Sequence, residues 1–271
     1  MATTGKQNDY AVRSVVRAAR ILELVRTSEG GAQLNELASR SGLAKASAFR
    51  LLRTLEQVGL IQRVPNSDVY RLGVRCLELG QTYLEQTDLR REATPVLKDL
   101  QRRFKETVHL GVLDDELRVV YLEKLETTHA IGIMMSRVGR TAPSYCTGLG
   151  KAMLASLDGD PAAVLSERGE LRRYTANTIC DRDALREELA RIRKRGFAVD
   201  LEEHEVGVRC VASTIHAPRE VAAISVAGPA QRLPERRLRR ELAEAVIAAA
   251  GEISRRLGSP QRREAGDAPR R

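Results

Sequence analysis

The segment LNELASRSGLAKASAFRLL, residues 34–52, decides the fold of the N-terminal part of the chain. Short apolar patterns flank Ser41-Gly42-Leu43, and they predict two short helices that pack at a steep angle across a tight turn. Ala38 is small enough to let the helices approach closely, and Gly42 accepts a left-handed turn without steric cost. This arrangement is typical of a helix-turn-helix.

The second helix of the pair, predicted over residues 44–58, carries polar and basic side chains in its first turns. We expect Lys45, Ser47 and Arg50 to contact the groove and the phosphates of DNA, with Arg53 further along the same helix. The side chains expected to point inward are Phe49, Leu52 and Leu55.

Elements on either side complete a predicted winged domain. Upstream, apolar residues recur every three to four positions between Val15 and Val25 and predict a first helix. Downstream, LIQRV (60–64) and VYRLG (69–73) flank a Pro-Asn-Ser-Asp turn and predict a two-stranded hairpin, the wing. The wing residues expected beside the DNA backbone are Arg63, Asn66 and Arg71.

Positive charge is concentrated in the same part of the chain. Residues 1–75 carry twelve Lys and Arg against six Asp and Glu, so +6 of the net charge of +9 lies in the first quarter. Such a concentration attracts a phosphate backbone. Tryptophan is absent and aromatic residues make up 3% of the chain, which argues against stacking on single strands or RNA. The pattern favours double-stranded DNA, and the alternative is a small helical domain with solvated basic faces.

Composition limits the class of protein. At 271 residues the chain is long enough for two domains, and no apolar run approaches the ~20 residues of a membrane span. The first residues, MATTGKQNDY, lack the apolar core of a secretory signal, which predicts a cytoplasmic protein. The four cysteines lie far apart without a Cys-x-x-Cys pair, so we expect reduced thiols. No cofactor and no metal is predicted.

The expected domain limits follow from changes in the pattern. Residues 1–10 and 259–271 are polar and predicted to be unstructured, and residues 11–73 form the winged domain. A linker helix is expected over residues 74–90, with enough apolar surface for a dimer contact. Beyond it, extended and helical patterns predict an α+β domain over residues 91–258, large enough to enclose a small-molecule pocket.

The segment GRTAPSYCTGLGKAMLA, residues 139–155, carries the most suggestive chemistry. Thr147 is placed to cap a helix whose first turn, Gly148-Leu149-Gly150, has free backbone amides and little side-chain bulk. A carboxylate or phosphate can approach such a turn closely, so the segment is a candidate anion site, and the alternative is an ordinary helix start. A nucleotide-hydrolysing phosphate loop is not indicated, because Tyr145 stands where its first glycine would be and Ala152 replaces its Ser or Thr.

A second suggestive segment is VDLEEHEVGVRC, residues 199–210, which crowds carboxylates and a histidine before a strand. Asp200, His204 and Cys210 are ligand types found in metal sites, but no pair has a recognised zinc spacing. A solvated acidic loop is the simpler interpretation.

An enzyme is the alternative from a different class. A hydrolase would have to act through Ser144 or Cys146, yet the chain has neither a Gly-x-Ser-x-Gly motif nor a nucleophile beside a recognisable base. We therefore expect no enzymatic activity.

The order of these parts resembles the IclR family of bacterial transcriptional regulators over about residues 12–257. The segments at residues 139–155 and 199–210 carry the resemblance most specifically, since many regulators share the N-terminal fold. The other matching segments are SVVRAARILELV (14–25), LASRSGLAKASAFRLLRTLEQVGLI (37–61), YRLG (70–73) and AAISVAGPA (222–230). The resemblance implies an α+β chain in which a linker helix joins the winged helix-turn-helix to a GAF-like effector-binding domain. It also implies a homodimer or a dimer of dimers.

The effector-binding residues of the family carry over onto matching positions. The positions implied are Met134, Gly148, Leu149, Asp200, Val208, Cys210 and Ser225. Ala227 departs from a serine frequent in the family, which removes one hydrogen bond to the effector. An anion held by helix-start amides, Cys210 and Ser225 would be a small organic acid, such as an oxo acid, a sugar acid or a related carboxylate, while Asp200 accepts a hydrogen bond from a hydroxyl. The hypothesis is a sequence-specific repressor relieved by this acid; the alternative is a ligand-independent architectural DNA binder.

Overall fold

The computed structural model describes residues 11–127, 135–169, 171–218 and 220–258. The chain divides into two compact units between Tyr83 and Leu84. The predicted unstructured ends, residues 1–10 and 259–271, lie outside the described residues. Among the described helices, none is both long and apolar enough to cross a membrane.

The first unit is a winged helix-turn-helix. Its strands form an antiparallel sheet in the order β1-β3-β2. Its elements are α1 (Arg13–Thr27), β1 (Ala32–Gln33), α2 (Leu34–Ser41), α3 (Lys45–Gln57), β2 (Ile61–Arg63), β3 (Val69–Leu72) and α4 (Val74–Gln86), which continues into the second unit.

The predicted turn between the two helices and the predicted wing are both confirmed in the first unit. Gly42 adopts a left-handed conformation with φ 71° between α2 and α3, and Ala38 is buried at the helix contact. Strands β2 and β3 pair as the predicted hairpin, with Asn66 at φ 56° in its turn. Strand β1 was not predicted, because two residues are too short to show a period.

The predicted first helix is confirmed as α1, but its apolar residues divide between the core and the surface. Ile21 and Val25 are buried in the core of the unit, but Val15 and Val16 are 65% and 58% exposed. The second half of α1 fills the small core beside Leu37 and Leu52. Periodicity marks one helix face, but it cannot show how much of that face the unit covers.

The second unit has one six-stranded antiparallel sheet in the order β6-β5-β4-β9-β8-β7. Its strands are β4 (Thr107–Leu113), β5 (Val119–Leu125), β6 (Thr141–Ala142), β7 (Ala198–Leu201), β8 (Val208–His216) and β9 (Val221–Pro229). Its helices are α5 (Asp88–Phe104), α6 (Gly148–Ser156), α7 (Pro161–Glu167), α8 (Arg182–Arg195), α9 (Glu235–Arg237) and α10 (Ala243–Arg256), with a π-helical segment at Leu238–Leu242.

Helices cover both faces of this sheet. The face that carries Val108, Val211 and Val226 packs against α5 and α10 in the larger core. The opposite face packs against α6, which lies beneath α8 in a second core. Side chains along the strands alternate between these two cores, except where the register of β4 and β5 shifts at Leu110 and Gly111. The α6 side of the sheet is where the predicted effector residues meet.

The helical period from residue 233 to residue 257 predicts one continuous helix. The structure instead begins with the three residues of α9 and widens into the π-helical segment before α10. Leu238 and Leu242, at the two ends of the π segment, are both fully buried. A sequence period does not distinguish one wider turn from a regular one.

Candidate functional site

The exposed surface of α3 and the wing carries all the residues predicted to contact DNA. Lys45 is the first residue of α3, and Ser47 follows within its first turn. Ser47 is half-buried, and the other predicted residues are exposed, namely Lys45, Arg50, Arg53, Arg63, Asn66 and Arg71. Each of these positions remains a prediction of DNA contact.

These cations differ in the partners they have within the chain. Arg53 pairs with Glu56 at 2.7 Å, and Arg63 pairs with Asp68 and donates to the Ser67 carbonyl. Arg71 Nε donates to the Gly30 carbonyl oxygen at 2.7 Å. Within the described part of the chain, Lys45 and Arg50 have no ion pair, so they are the cations that a phosphate engages at least cost.

Phe49 does not point inward as predicted, since its side chain is 46% exposed. The buried side of α3 is formed by Ala48, Leu52 and Leu55. These three residues fill the contact with α1 and α2, and they leave Phe49 on the outer face.

The predicted effector residues lie on the α6 side of the sheet, on three neighbouring strands. Asp200 on β7 is paired with Cys210 on β8, and Cys210 is paired with Ala227 on β9. Ser225, two residues before Ala227, lies on the same face of β9. The strand register therefore sets a carboxyl, a thiol and a hydroxyl on one surface.

The start of α6 meets this surface at Cys210. The Thr147 hydroxyl caps the helix, because it accepts a hydrogen bond from the Gly150 N–H at 3.2 Å. A Cβ atom built on Gly148 would lie 2.4 Å from Cys210 Sγ. Only glycine at position 148 lets the helix start approach the sheet this closely. Leu149 is buried beside it.

The surroundings of Asp200 raise the pKa of its carboxyl group. Burial, followed by the nearby Glu203 carboxylate, raises the pKa of Asp200 to about 7, against the opposing charge of Lys151. Its Oδ1 accepts a hydrogen bond from the Glu203 N–H at 2.7 Å. Burial also raises the pKa of the Cys210 thiol, which stays neutral. Near neutral pH the site thus offers a neutral thiol and a carboxyl that is about half protonated.

The acidic segment is not the solvated loop that its composition suggested. Glu203 is buried and forms an ion pair with Lys151, whose side chain is 1% exposed on α6. Hydroxyls of Thr175 and Thr178 donate to the carbonyl oxygens of Glu202 and Glu203, each at 2.7 Å. These contacts fix the turn after β7 and therefore the position of Asp200.

Sequence reasoning missed Lys151 as a site residue. The signal that could have found it is its place in GLGKAMLAS, where the remaining residues of the helix are apolar or small. A lysine inside such a segment needs a buried acid as its partner. The partner is 52 positions away in sequence, so the pairing itself has no local signal.

A buried histidine extends the polar surface beyond Ser225. His109 on β4 is paired with Ser225, and its Nδ1 lies 3.4 Å from the Ser225 hydroxyl. Its Nε2 lies 2.9 Å from Ser136 Oγ. Burial, aided by the charge of Lys124, lowers the pKa of His109 to about 3, so the ring is neutral. The sequence gives no local signal of this contact, because His109 and Ser225 are 116 positions apart.

The remaining predicted effector-binding residues are Val208 and Met134. Val208 is half-buried at the start of β8 and packs against Cys210 and Ala227. Met134 lies outside the described residues. The structure therefore brings together Gly148, Leu149, Asp200, Val208, Cys210 and Ser225 on one side of the sheet.

The alternatives of a metal site and a hydrolase find no geometric support in the described residues. His204 packs on the Tyr174 ring at 5.0 Å between centroids, away from any cluster of ligands. Within the described ranges, no three His, Cys, Asp or Glu side chains gather as metal ligands would. Cys146 is fully buried, and burial raises the pKa of its thiol, so it is a poor nucleophile.

Comparisons with known proteins agree with this architecture. The model of the C-terminal domain of bacterial IclR transcriptional regulators matches residues 81–255, and that of the IclR helix-turn-helix domain matches residues 14–65. The HTH-type transcriptional regulator XynR of Escherichia coli (strain K12) is 36% identical over 254 residues, which cover 92% of this chain and 98% of that protein. The transcriptional repressor IclR of the same strain is 33% identical over 91% of this chain and 90% of its own length.

A solved structure shares the fold over nearly the whole chain. The IclR homologue from Microbacterium hydrocarbonoxydans, crystallised in complex with 4-hydroxybenzoate, is 27% identical with a TM-score of 0.73. The similarity covers 90% of this chain and 99% of that one. The winged helix-turn-helix, the effector-binding C-terminal domain and these matches lead to one conclusion: the chain belongs to the IclR family of bacterial transcriptional regulators.

Proposed function

We propose that this chain represses transcription by binding an operator, and that a small organic acid bound at the start of α6 relieves the repression. The observation that carries the proposal is the meeting of Gly148, Cys210 and Asp200 at a capped helix start. Backbone amides at a helix start attract an anion, and the neutral Cys210 thiol and the protonated form of Asp200 beside them do not repel it. The IclR relative named above is a repressor, which supports the sign of regulation.

The chemistry of the site indicates the class of effector. The Gly150 amide is bonded to Thr147, so the preceding amides of the first turn of α6 suit a carboxylate, and a protonated Asp200 can donate a hydrogen bond to it. Ser225, buried between Ala212 on β8 and His109 on β4, suits an oxo or hydroxyl group. An oxo acid, a sugar acid or a related carboxylate fits this set. The relative crystallised with 4-hydroxybenzoate also binds an organic acid.

The exposed apolar side chains of α4 support assembly as a homodimer. Val74, Leu77, Leu79 and Tyr83 are all at least half exposed, and no residue of this helix is buried. A second copy is the partner that a DNA-binding regulator needs, because two reading helices contact two half-sites of an operator. A dimer of dimers is compatible with the same contact.

The domain limits predicted from the sequence are part of the proposal. Residues 11–73 are assigned to DNA binding, residues 74–90 to the link, and residues 91–258 to the effector. The division of the chain at Tyr83 lies within the proposed link. A regulator that binds a bacterial operator acts where the chromosome is, so we assign it to the cytoplasm.

The test is a footprint of the purified full chain on DNA upstream of its own gene and of neighbouring genes, repeated with a panel of oxo acids, sugar acids and 4-hydroxybenzoate. We expect a discrete site with two half-sites one or more helical turns apart, lost in the presence of one of the acids. A protected site indifferent to every acid would contradict the proposed pocket chemistry. Protection spread without discrete sites would favour an architectural DNA binder.

Lys45→Ala and Arg50→Ala are expected to weaken operator binding. Both side chains are exposed at the start of α3, and each is expected to neutralise a phosphate. The slope of log affinity against log salt should become shallower by about one unit for each lost phosphate contact. Arg102→Ala, on the exposed side of α5 in the second unit, is the control and should leave the slope unchanged. Wild-type affinity and slope in both variants would reject α3 as the reading helix.

Effector affinity is expected to fall as pH rises above about 7. The bound carboxylate favours the protonated form of Asp200, whose pKa in the free protein is about 7. Affinity should therefore be nearly constant below this pH and decrease about tenfold per pH unit above it. Three neighbouring groups do not titrate near pH 7. The pKa of His109 lies well below this pH, and the pKa values of Cys210 and Tyr121 are raised well above it.

Isothermal titration of an acid that is fully ionised from pH 6 to 9 measures this dependence. Asp200→Asn retains a hydrogen-bond donor and does not titrate, so it should remove the slope while sparing DNA affinity. Asp158→Asn, on an exposed carboxyl outside the site, should keep the wild-type slope. An identical slope in wild type and Asp200→Asn would assign the proton to another group, such as Glu203.

A further inference from the structure

Phe49 is an exposed aromatic side chain on the predicted reading helix. The chain has three phenylalanines. Phe104 is buried, and Phe197 is half-buried with the Arg195 guanidinium 5.0 Å above its ring. Phe49 is 46% exposed, although α3 has a well-filled buried side. Phe49 therefore lies on the outer face of the helix that is predicted to enter the major groove, where an apolar side chain can contact the edges of the bases.

The helix places this ring among cations. Lys45 lies four residues before Phe49 and Arg53 four residues after it, so the three side chains follow one line along the outer face of α3. Arg50 is the next residue, and Ala46, also exposed, lies one turn earlier. The outer face is therefore an apolar centre of Phe49 and Ala46 between three basic side chains.

Charge decides which partner fits this face. A second copy seated on it would bring its own Lys45, Arg50 and Arg53 against the same three cations. DNA instead pairs the cations with phosphates on both sides of the major groove, and the apolar centre then faces the edges of the bases. The phenyl ring has no hydrogen-bonding group, so it can recognise a base only by apolar contact. The apolar group that the major groove presents is the thymine methyl.

We propose that Phe49 determines operator specificity by packing against a thymine methyl group in the major groove. The inference rests on the proposed operator binding and adds to it the base that the helix reads. Each half-site then contains one thymine that faces Phe49, and the methyl group of this thymine is required for full affinity. The basic neighbours of Phe49 contribute affinity for any sequence, whereas Phe49 contributes a preference for one base.

The test removes single methyl groups from the DNA. Each thymine of the footprinted operator is replaced in turn by deoxyuridine, which lacks only the 5-methyl group, and the dissociation constant is measured. For the wild-type protein we expect about a fourfold loss at one thymine per half-site, the effect of removing one buried methyl group. Replacement in both half-sites should cost about fifteenfold, if the two half-sites act independently.

Phe49→Ala should bind the unmodified operator more weakly and lose its sensitivity to deoxyuridine at that thymine alone. Phe49→Leu keeps an apolar side chain and should retain part of that sensitivity. Val58→Ala is the matched control, because Val58 is 53% exposed at the far end of α3 and should show the wild-type pattern. Unfolding midpoints of all three variants should stay close to that of the wild type, since neither side chain is buried.

Other results would overturn the inference in distinguishable ways. If Phe49→Ala binds normally and responds to deoxyuridine as the wild type does, Phe49 does not read a methyl group. If Phe49→Ala instead lowers the mass of the assembly in analytical ultracentrifugation, the ring belongs to a protein contact. Failure of the wild-type chain to protect any DNA contradicts the proposed function itself, together with this inference.

Discussion

Lys151→Met is expected to lower the free energy of unfolding of the second unit by about 3–5 kcal/mol, the cost of leaving one charge of a buried ion pair without its partner. Lys151 and Glu203 are almost completely buried and pair across 52 positions of sequence. The second oxygen of Glu203 already has no hydrogen-bond partner among the described residues. Methionine fills a similar volume, so the loss reports the charge rather than a cavity.

The deficit should also depend on pH. Burial raises the pKa of Glu203, while Lys151 lowers it. Without Lys151 the carboxyl retains its proton to higher pH, so the unfolding deficit should be largest in alkaline solution and shrink as pH falls. Differential scanning calorimetry of the full chain at pH 5 and pH 8 measures this change, and hydrogen exchange of residues 148–156 locates it in α6.

Two further variants show whether the effect comes from the buried pair. Lys151→Met combined with Glu203→Met removes both charges and should recover much of the loss. Arg40→Met breaks the exposed pair between Arg40 and Glu36 in the first unit, which is 2.7 Å long and should contribute less than about 1 kcal/mol. A Lys151→Met loss as small as that of Arg40→Met would show that the pair is solvated.

Gly150→Ala is expected to be the most disruptive change at the start of α6. A Cβ atom at this position would lie 2.2 Å from the Ser144 Cα and 2.3 Å from its carbonyl oxygen. These are backbone atoms, so no side-chain rotation can relieve the overlap. Overpacking of this kind costs about 1–3 kcal/mol, and we expect a value at the upper end of that range. Because the segment before α6 must move, the affinity for the acid should fall as well.

The matched control is Gly251→Ala in α10 of the same unit. The nearest atom to a Cβ there is the end of the Arg255 side chain at 3.7 Å, which is ordinary contact. Alanine should stabilise this helix by about 0.5–1 kcal/mol through its higher helix propensity. Calorimetric midpoints and titrations of the acid, measured on both variants, separate a general sensitivity to Gly→Ala from the overlap at Ser144. Normal acid binding by a stable Gly150→Ala protein would contradict the close approach at this helix start.

The sequence alone was sufficient for features that depend on near neighbours in the chain. The turn at Gly42, the hairpin of β2 and β3 and the Thr147 cap of α6 are confirmed where predicted. Each follows from the conformational preference or hydrogen-bonding capacity of residues a few positions apart. The order of the motifs was also sufficient for the family, because it does not depend on side-chain placement.

Only the tertiary structure decided which side chains are covered and which charges meet. Phe49 and Val15 lie on apolar patterns yet are exposed, because other residues fill the small core of the first unit. Glu203 looks like an ordinary surface charge in the sequence, and the sequence does not show which acid pairs with Lys151, but the packing of α6 on the sheet buries both and sets the environment of Asp200. Burial and desolvation are properties of the assembled layers, and local sequence patterns carry no record of them.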